Sequence, residues 1–224
     1  MSNRTRWIPS HPVRTLARAA VVAGLLAPLA SCTSMQTEGE SPAYLIINSL
    51  NAASGAEPDA LGGILFSDVL TLVDTGVTDA DGNPLVAPTI FEDTLEANFS
   101  LALKDPGSSQ SPTVPTSANV ITITRYRVDF ARADGRNTPG VDVPYGFDGA
   151  ATVSVGAGGG IANVSIVRQQ AKREAPLAAL ANNGGAIAIA TIATVTFYGH
   201  DQAGRAVSVT GQIGVHFADW GDPN

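Results

Sequence analysis

From Tyr44 onward, apolar and polar residues alternate with a period of two, and this alternation excludes a helical fold for most of the chain. Leu95, Ala97, Phe99, Leu101 and Leu103 are separated by Glu96, Asn98, Ser100, Ala102 and Lys104, which predicts a strand with one apolar face. Tyr126, Val128 and Phe130 alternate with Arg125, Arg127 and Asp129, but Ile121 and Ile123 fall on the opposite parity. One extra residue near Thr124, a β-bulge, brings both sets to the same face. Ala151, Val153 and Val155 predict a shorter strand, as do Ala162, Val164 and Ile166. Less regular strands are expected over residues 44–50 and 64–73.

The C-terminal pattern specifies a hairpin and its register. Val195 and Phe197 precede the connection Asp201-Gln202-Ala203-Gly204-Arg205, and Val207, Val209, Ile213, Val215 and Phe217 follow it. A three-residue loop, Gln202 to Gly204, places Gly204 in the left-handed position such loops require. It pairs Phe197 with Val209 and Tyr198 with Ser208, so both apolar sets face one way. A four-residue loop breaks that match. Asp79 to Pro84 reads as a turn, Gly156 to Gly160 as a hairpin tip, and Lys104 to Ser117 as the longest exposed loop. The single helix candidate is Pro176 to Ala181, with Pro at the first helical position.

About eight strands joined by polar turns predict an all-β fold, an antiparallel β-sandwich. Its resemblance to immunoglobulin and fibronectin type III modules is architectural, because the Cys…Trp…Cys signature is absent from a chain with one cysteine. That cysteine count also excludes an internal disulfide framework and a multi-cysteine zinc site. Hydrophobic residues make up 44 % and charged residues 15 % of the 224, which excludes a disordered chain. The formal charge of −7 argues against nucleic acid as a partner.

The N-terminus carries a second signal. Arg4, Arg6, Arg14 and Arg18 precede an apolar run from Ala19 to Leu29, with no acid before Glu38. The run is too short for a membrane-spanning helix, which needs roughly 20 residues, and has the length of a secretory h-region. It ends in Leu29-Ala30-Ser31-Cys32, which resembles the lipobox of bacterial lipoproteins. The resemblance implies that Leu29, Ala30 and Ser31 are read by the lipoprotein signal peptidase. It also implies that Cys32 carries diacylglycerol on its thiol and, after cleavage, a further acyl chain such as palmitate on its amine. Thr33 stands where Asp favours inner-membrane retention in that family, which points to the outer membrane. The expected organisation is a cleaved signal peptide over 1–31, a lipidated cysteine and flexible tether over 32–43, and one β domain over 44–224. The mature chain keeps nine basic against 20 acidic side chains, a net of −11, so the lipid must dominate attachment to an anionic surface.

Two further segments, RADGRNTPGVDVP (Arg132 to Pro144) and FYGHDQAGRAVSVTG (Phe197 to Gly211), resemble those of uncharacterised bacterial lipoproteins. That group carries no assigned activity, so the resemblance implies architecture and not chemistry.

Catalytic signatures are sparse. There is no G-x-S-x-G elbow. His200 and His216 are the only histidines of the mature chain. In the hairpin register His216 faces Ala190, about 33 Å along the strand from His200 at ~3.3 Å per residue. The glycine tract lacks the Lys-Ser/Thr of a phosphate loop. Asp79, Asp81 and Asn83 follow a D-x-D-x-N spacing that suits Ca²⁺, but Pro84 and Ile90 replace the Gly and Glu of an EF-hand, so an ordinary turn is expected. Glu92, Asp93 and Glu96 read as a solvated start to a strand. The expectation is a lipid-anchored, non-enzymatic binding or structural module of the bacterial envelope. It has no cofactor, and its partner is another envelope protein or a polysaccharide. The alternatives are an envelope hydrolase using carboxylates and a Ca²⁺-dependent binding module.

Overall fold

A computed structural model describes residues 39–221. The expected signal peptide, the lipobox-like residues Leu29, Ala30 and Ser31, Cys32 and most of the expected tether lie outside the described residues. The described residues from Glu40 onward form one compact unit. The described residues contain strands β1 (Ala43–Ala53), β2 (Ile64–Asp68), β3 (Thr71–Thr78), β4 (Pro84–Thr89), β5 (Asp93–Leu103), β6 (Gly107–Ser108), β7 (Ser111–Pro112), β8 (Ile121–Ala131), β9 (Phe147–Val155), β10 (Gly160–Val167), β11 (Ile189–Asp201) and β12 (Ala206–Ala218). One helical turn, α1 (Gln169–Lys172), follows β10. The protein is mostly β, as the alternation requires. Among the described residues no helix is long and apolar enough to cross a membrane.

Two sheets carry the fold. A three-stranded sheet has the order β1-β5-β10, and a five-stranded sheet the order β2-β12-β11-β8-β9. Their inner faces share one core, with Leu45, Leu95, Ala97, Phe99, Val164 and Ile166 from the first and Val128, Val195, Phe197, Val215 and Phe217 from the second. The Phe99 and Phe197 rings meet edge to face with centroids 4.9 Å apart, which ties one sheet to the other.

The predicted registers hold where turn chemistry and alternation agree. Phe197 pairs with Val209, Tyr198 with Ser208 and Ala190 with His216. Gly204 has φ +81°, the left-handed conformation of the three-residue loop. The Asp201 carboxylate closes that loop by accepting from Ala203 N and Arg205 N, both at 2.9 Å. The bulge sits at Thr124, since Ile123 pairs with Gly199 and Arg125 with Tyr198. There the strands press together so closely that any side chain at position 199 would run into the Thr122 backbone.

Four expectations are corrected. The five-stranded sheet is mixed, because β2 runs parallel to β12, with Leu65 opposite Val215 and Ser67 opposite Phe217. A parallel pair needs a long crossover, and here most of the chain separates the two strands. The strand expected over 64–73 breaks after Asp68. Its carboxylate accepts from Thr71 Oγ1 at 2.5 Å and from Trp220 N at 3.0 Å, turning the chain into the separate β3–β4 ribbon. The ribbon's second strand starts at Pro84 and includes Pro88, residues a central strand cannot hold, and among the described residues it pairs only with β3. The Gly156–Gly160 turn does close with Gly156 bridged to Gly159, but β9 and β10 then part into different sheets. Finally, the helix expected at Pro176 is a 3₁₀ turn over Leu177–Leu180 with Pro176 just before it, while the α-helical turn at Gln169–Lys172 has no signal in the apolar period.

Candidate functional site

Asp79, Asp81 and Asn83 lie in the exposed turn between β3 and β4. Asp79 Oδ1 accepts from the backbone N–H groups of Asp81 and Asn83, both at 2.9 Å, and Oδ2 accepts from Asn83 Nδ2 at 3.1 Å. Those donors hold its carboxyl below the usual carboxylate range, the Asn83 backbone N–H foremost. The side chain is thus engaged in closing the turn, which is how Asp stabilises such loops. Among the described residues, no group of three or more His, Cys, Asp or Glu is placed to hold a metal ion. Calorimetry is expected to show no Ca²⁺ binding tighter than millimolar. A micromolar isotherm that disappears in Asp81→Ala would establish the Ca²⁺-dependent alternative.

The two histidines stay apart. His200 faces Ala206 at one end of the hairpin and His216 faces Ala190 toward the other. His216 joins an aromatic group at the sheet edge. The Phe66 ring, 54 % exposed, stands edge-on to His216 at 5.6 Å and to Trp220 at 5.4 Å. Trp220 is anchored by its N–H to Asp68 and by its indole N–H to the His216 carbonyl at 3.4 Å. Burial pushes the Asp68 carboxyl up, against the donors Thr71, Trp220 and Leu70. A groove of about 130 Å³ runs between Phe66, Asp68 and Trp220 on one side and Ser54, Ala56 and Glu57 on the other.

A second surface covers the outer face of β8, β9, β11 and β12. Arg125 lies 3.7 Å over the Tyr198 ring and 3.3 Å from Asp148. Arg127 bridges Asp148 at 2.9 Å and Asp129 at 2.7 Å. The strand period puts residues 125, 127 and 129 on one face. Beside them a shallow cavity of about 330 Å³ is lined by Thr124, Arg125, Tyr198, Val207 and Ser208. A neighbouring one of about 270 Å³ shares Val207 and Ser208 and adds Tyr44, Lys104 and Glu40. Lys104 stands 5.1 Å from the centre of the Tyr44 ring.

Among the described residues, a fully enclosed polar group stands where a solvated strand start was expected. Asp93 does not belong to a solvated surface: its side chain and that of Lys172 are both 0 % exposed, and Lys172 Nζ lies 2.7 Å from Asp93 Oδ1. Gly55 N donates to the same oxygen at 3.0 Å, and Ser67 Oγ donates to Oδ2 at 2.6 Å. Burial pushes the Asp93 carboxyl up, and Lys172, Ser67 and Gly55 pull it back. The signal for Asp93 was present, since position 93 shares the parity of Leu95, Ala97 and Phe99. Lys172 sits in a single helical turn and carries no periodic signal. Compared with protein-family models, curated proteins and solved structures, the chain matches none of them.

Proposed function

We propose that this chain is a lipid-anchored lipoprotein of the bacterial cell envelope, held at the outer membrane through Cys32, of the uncharacterised lipoprotein group its sequence resembles. Its domain acts as a non-enzymatic binding module, the three- and five-stranded sheets serving as the two halves of an immunoglobulin-like sandwich. The observation that carries the reading is the position of the sole cysteine, after a positive n-region and an eleven-residue apolar run to Leu29, with only Ala30 and Ser31 between. One acyl chain alone binds a membrane marginally, and two or three hold it durably. The groove at Phe66 and Trp220, formed by edge strand β2 with residues 54–57 and 220, and the Arg125–Tyr198 face of β8 and β11 supply the contact surfaces. The partner is an envelope protein or a polysaccharide.

Cys32→Ala is expected to abolish incorporation of labelled palmitate and to move the protein out of the membrane fraction or leave an uncleaved precursor. A processed, membrane-bound Cys32→Ala protein would refute the anchor.

A further inference from the structure

Lys172 and Asp93 meet in a setting that suits bond formation as well as ion pairing. The amine is held within hydrogen-bond distance of a carboxyl oxygen, and both side chains are sealed from water. Two donors from other parts of the chain, Gly55 N–H and Ser67 Oγ–H, are aimed at the two carboxyl oxygens. In water, condensation of an amine with a carboxylate is opposed by dilution and by solvation of both ions. Here neither opposition survives. A well-oriented intramolecular pair reacts as if one partner were present at roughly 10⁵–10⁸ M. Burial also removes the water that would otherwise stand between the two groups.

We propose that Lys172 and Asp93 join in an intramolecular isopeptide bond, tying α1 to the start of β5. An ammonium proton passes from Nζ to Oδ1 across the 2.7 Å that separates them, leaving an amine beside a carboxylic acid. The Nζ lone pair then attacks Cγ. Charge developing on Oδ2 is met by Ser67 Oγ–H, which acts as a donor to the tetrahedral intermediate. A second amine proton passes to Oδ1, the Cγ–Oδ1 bond breaks, and Oδ1 leaves as water. One C–N bond forms, one C–O bond breaks and no oxidant or reductant is required. Ser67 lies on β2, in the other sheet from β5, so the donor is in place only once both sheets are packed. The two joined residues are 79 apart in sequence, so the link closes a loop that spans β5 through β10.

The test is peptide mapping of the full chain after denaturation and tryptic digestion. The expected result is a branched peptide holding both Asp93 and Lys172, one water (about 18 Da) lighter than the sum of its two parts, with cleavage after Lys172 blocked. Lys172→Arg keeps the cation but forms no lysyl amide, and should lose the branched peptide. Ser67→Ala should lower the linked fraction several-fold at a fixed time after synthesis. If the unaltered chain yields the Asp93 and Lys172 peptides separately at full mass, the pair is only ionic and the proposal falls. It falls equally if the branched peptide persists in Lys172→Arg. The mapping of the unaltered chain is decisive even where a variant fails to fold.

Discussion

Phe197→Ala is expected to lower the stability of the domain by about 3–5 kcal/mol, the usual cost of truncating a buried Phe. Phe197 is 0 % exposed at the centre of β11. Its ring centroid lies 4.9 Å from that of Phe99 in the opposite sheet and 6.1 Å from that of Tyr126 on the neighbouring strand. Removing it opens a cavity where the two sheets meet, which neither can close without leaving its own strand register. A domain of this size has only about 5–15 kcal/mol in total. The denaturant midpoint should therefore fall sharply at unchanged slope. Tyr198, one residue on, points to the opposite face, where its ring lies under the Arg125 guanidinium. An exposed cation–π contact contributes about 0.5–1 kcal/mol, so Tyr198→Ala should shift the midpoint far less. Equal shifts for the two variants would show that the core is not where the hairpin register puts it.

The other large effect is expected at Lys172. Lys172→Met leaves the Asp93 carboxyl enclosed with neither a cation nor a bond to it, and an uncompensated buried charge costs about 3–5 kcal/mol. The contrast is Lys104, whose Nζ is closer to its partner, 2.6 Å from Glu40 Oε2. The Glu40 side chain is 90 % exposed, so water and salt screen the pair, and Lys104→Met should cost far less than Lys172→Met. Burial and not separation decides the outcome. Thermal unfolding of the two variants side by side checks this. A Lys172→Met protein as stable as Lys104→Met would mean that water reaches Asp93.

Local features were legible because their causes act within a few residues. The bulge at Thr124 follows from two apolar sets of opposite parity that must share one face. The β11–β12 register follows from a left-handed glycine at a three-residue loop. Asp93 was legible in principle, since its parity places it inward, but a charged residue beside Glu92 invites a solvated reading. What reverses that reading is an ammonium 79 positions away, supplied by a helical turn too short to show a period. No local pattern can report such a partner.

The alternation along the chain and the chemistry of its turns thus determined that this protein is mostly β, which faces of its longest strands are buried, and how its last hairpin is paired. Period-two burial and positive-φ turns are properties of short segments, and they survive in any arrangement of those segments. Only the tertiary structure decided that β2 lies parallel to β12, that β9 and β10 part into different sheets, and that Lys172 and Ser67 converge on Asp93. Each of those choices depends on which distant segments exclude water from one another, and that is settled only when the two sheets close.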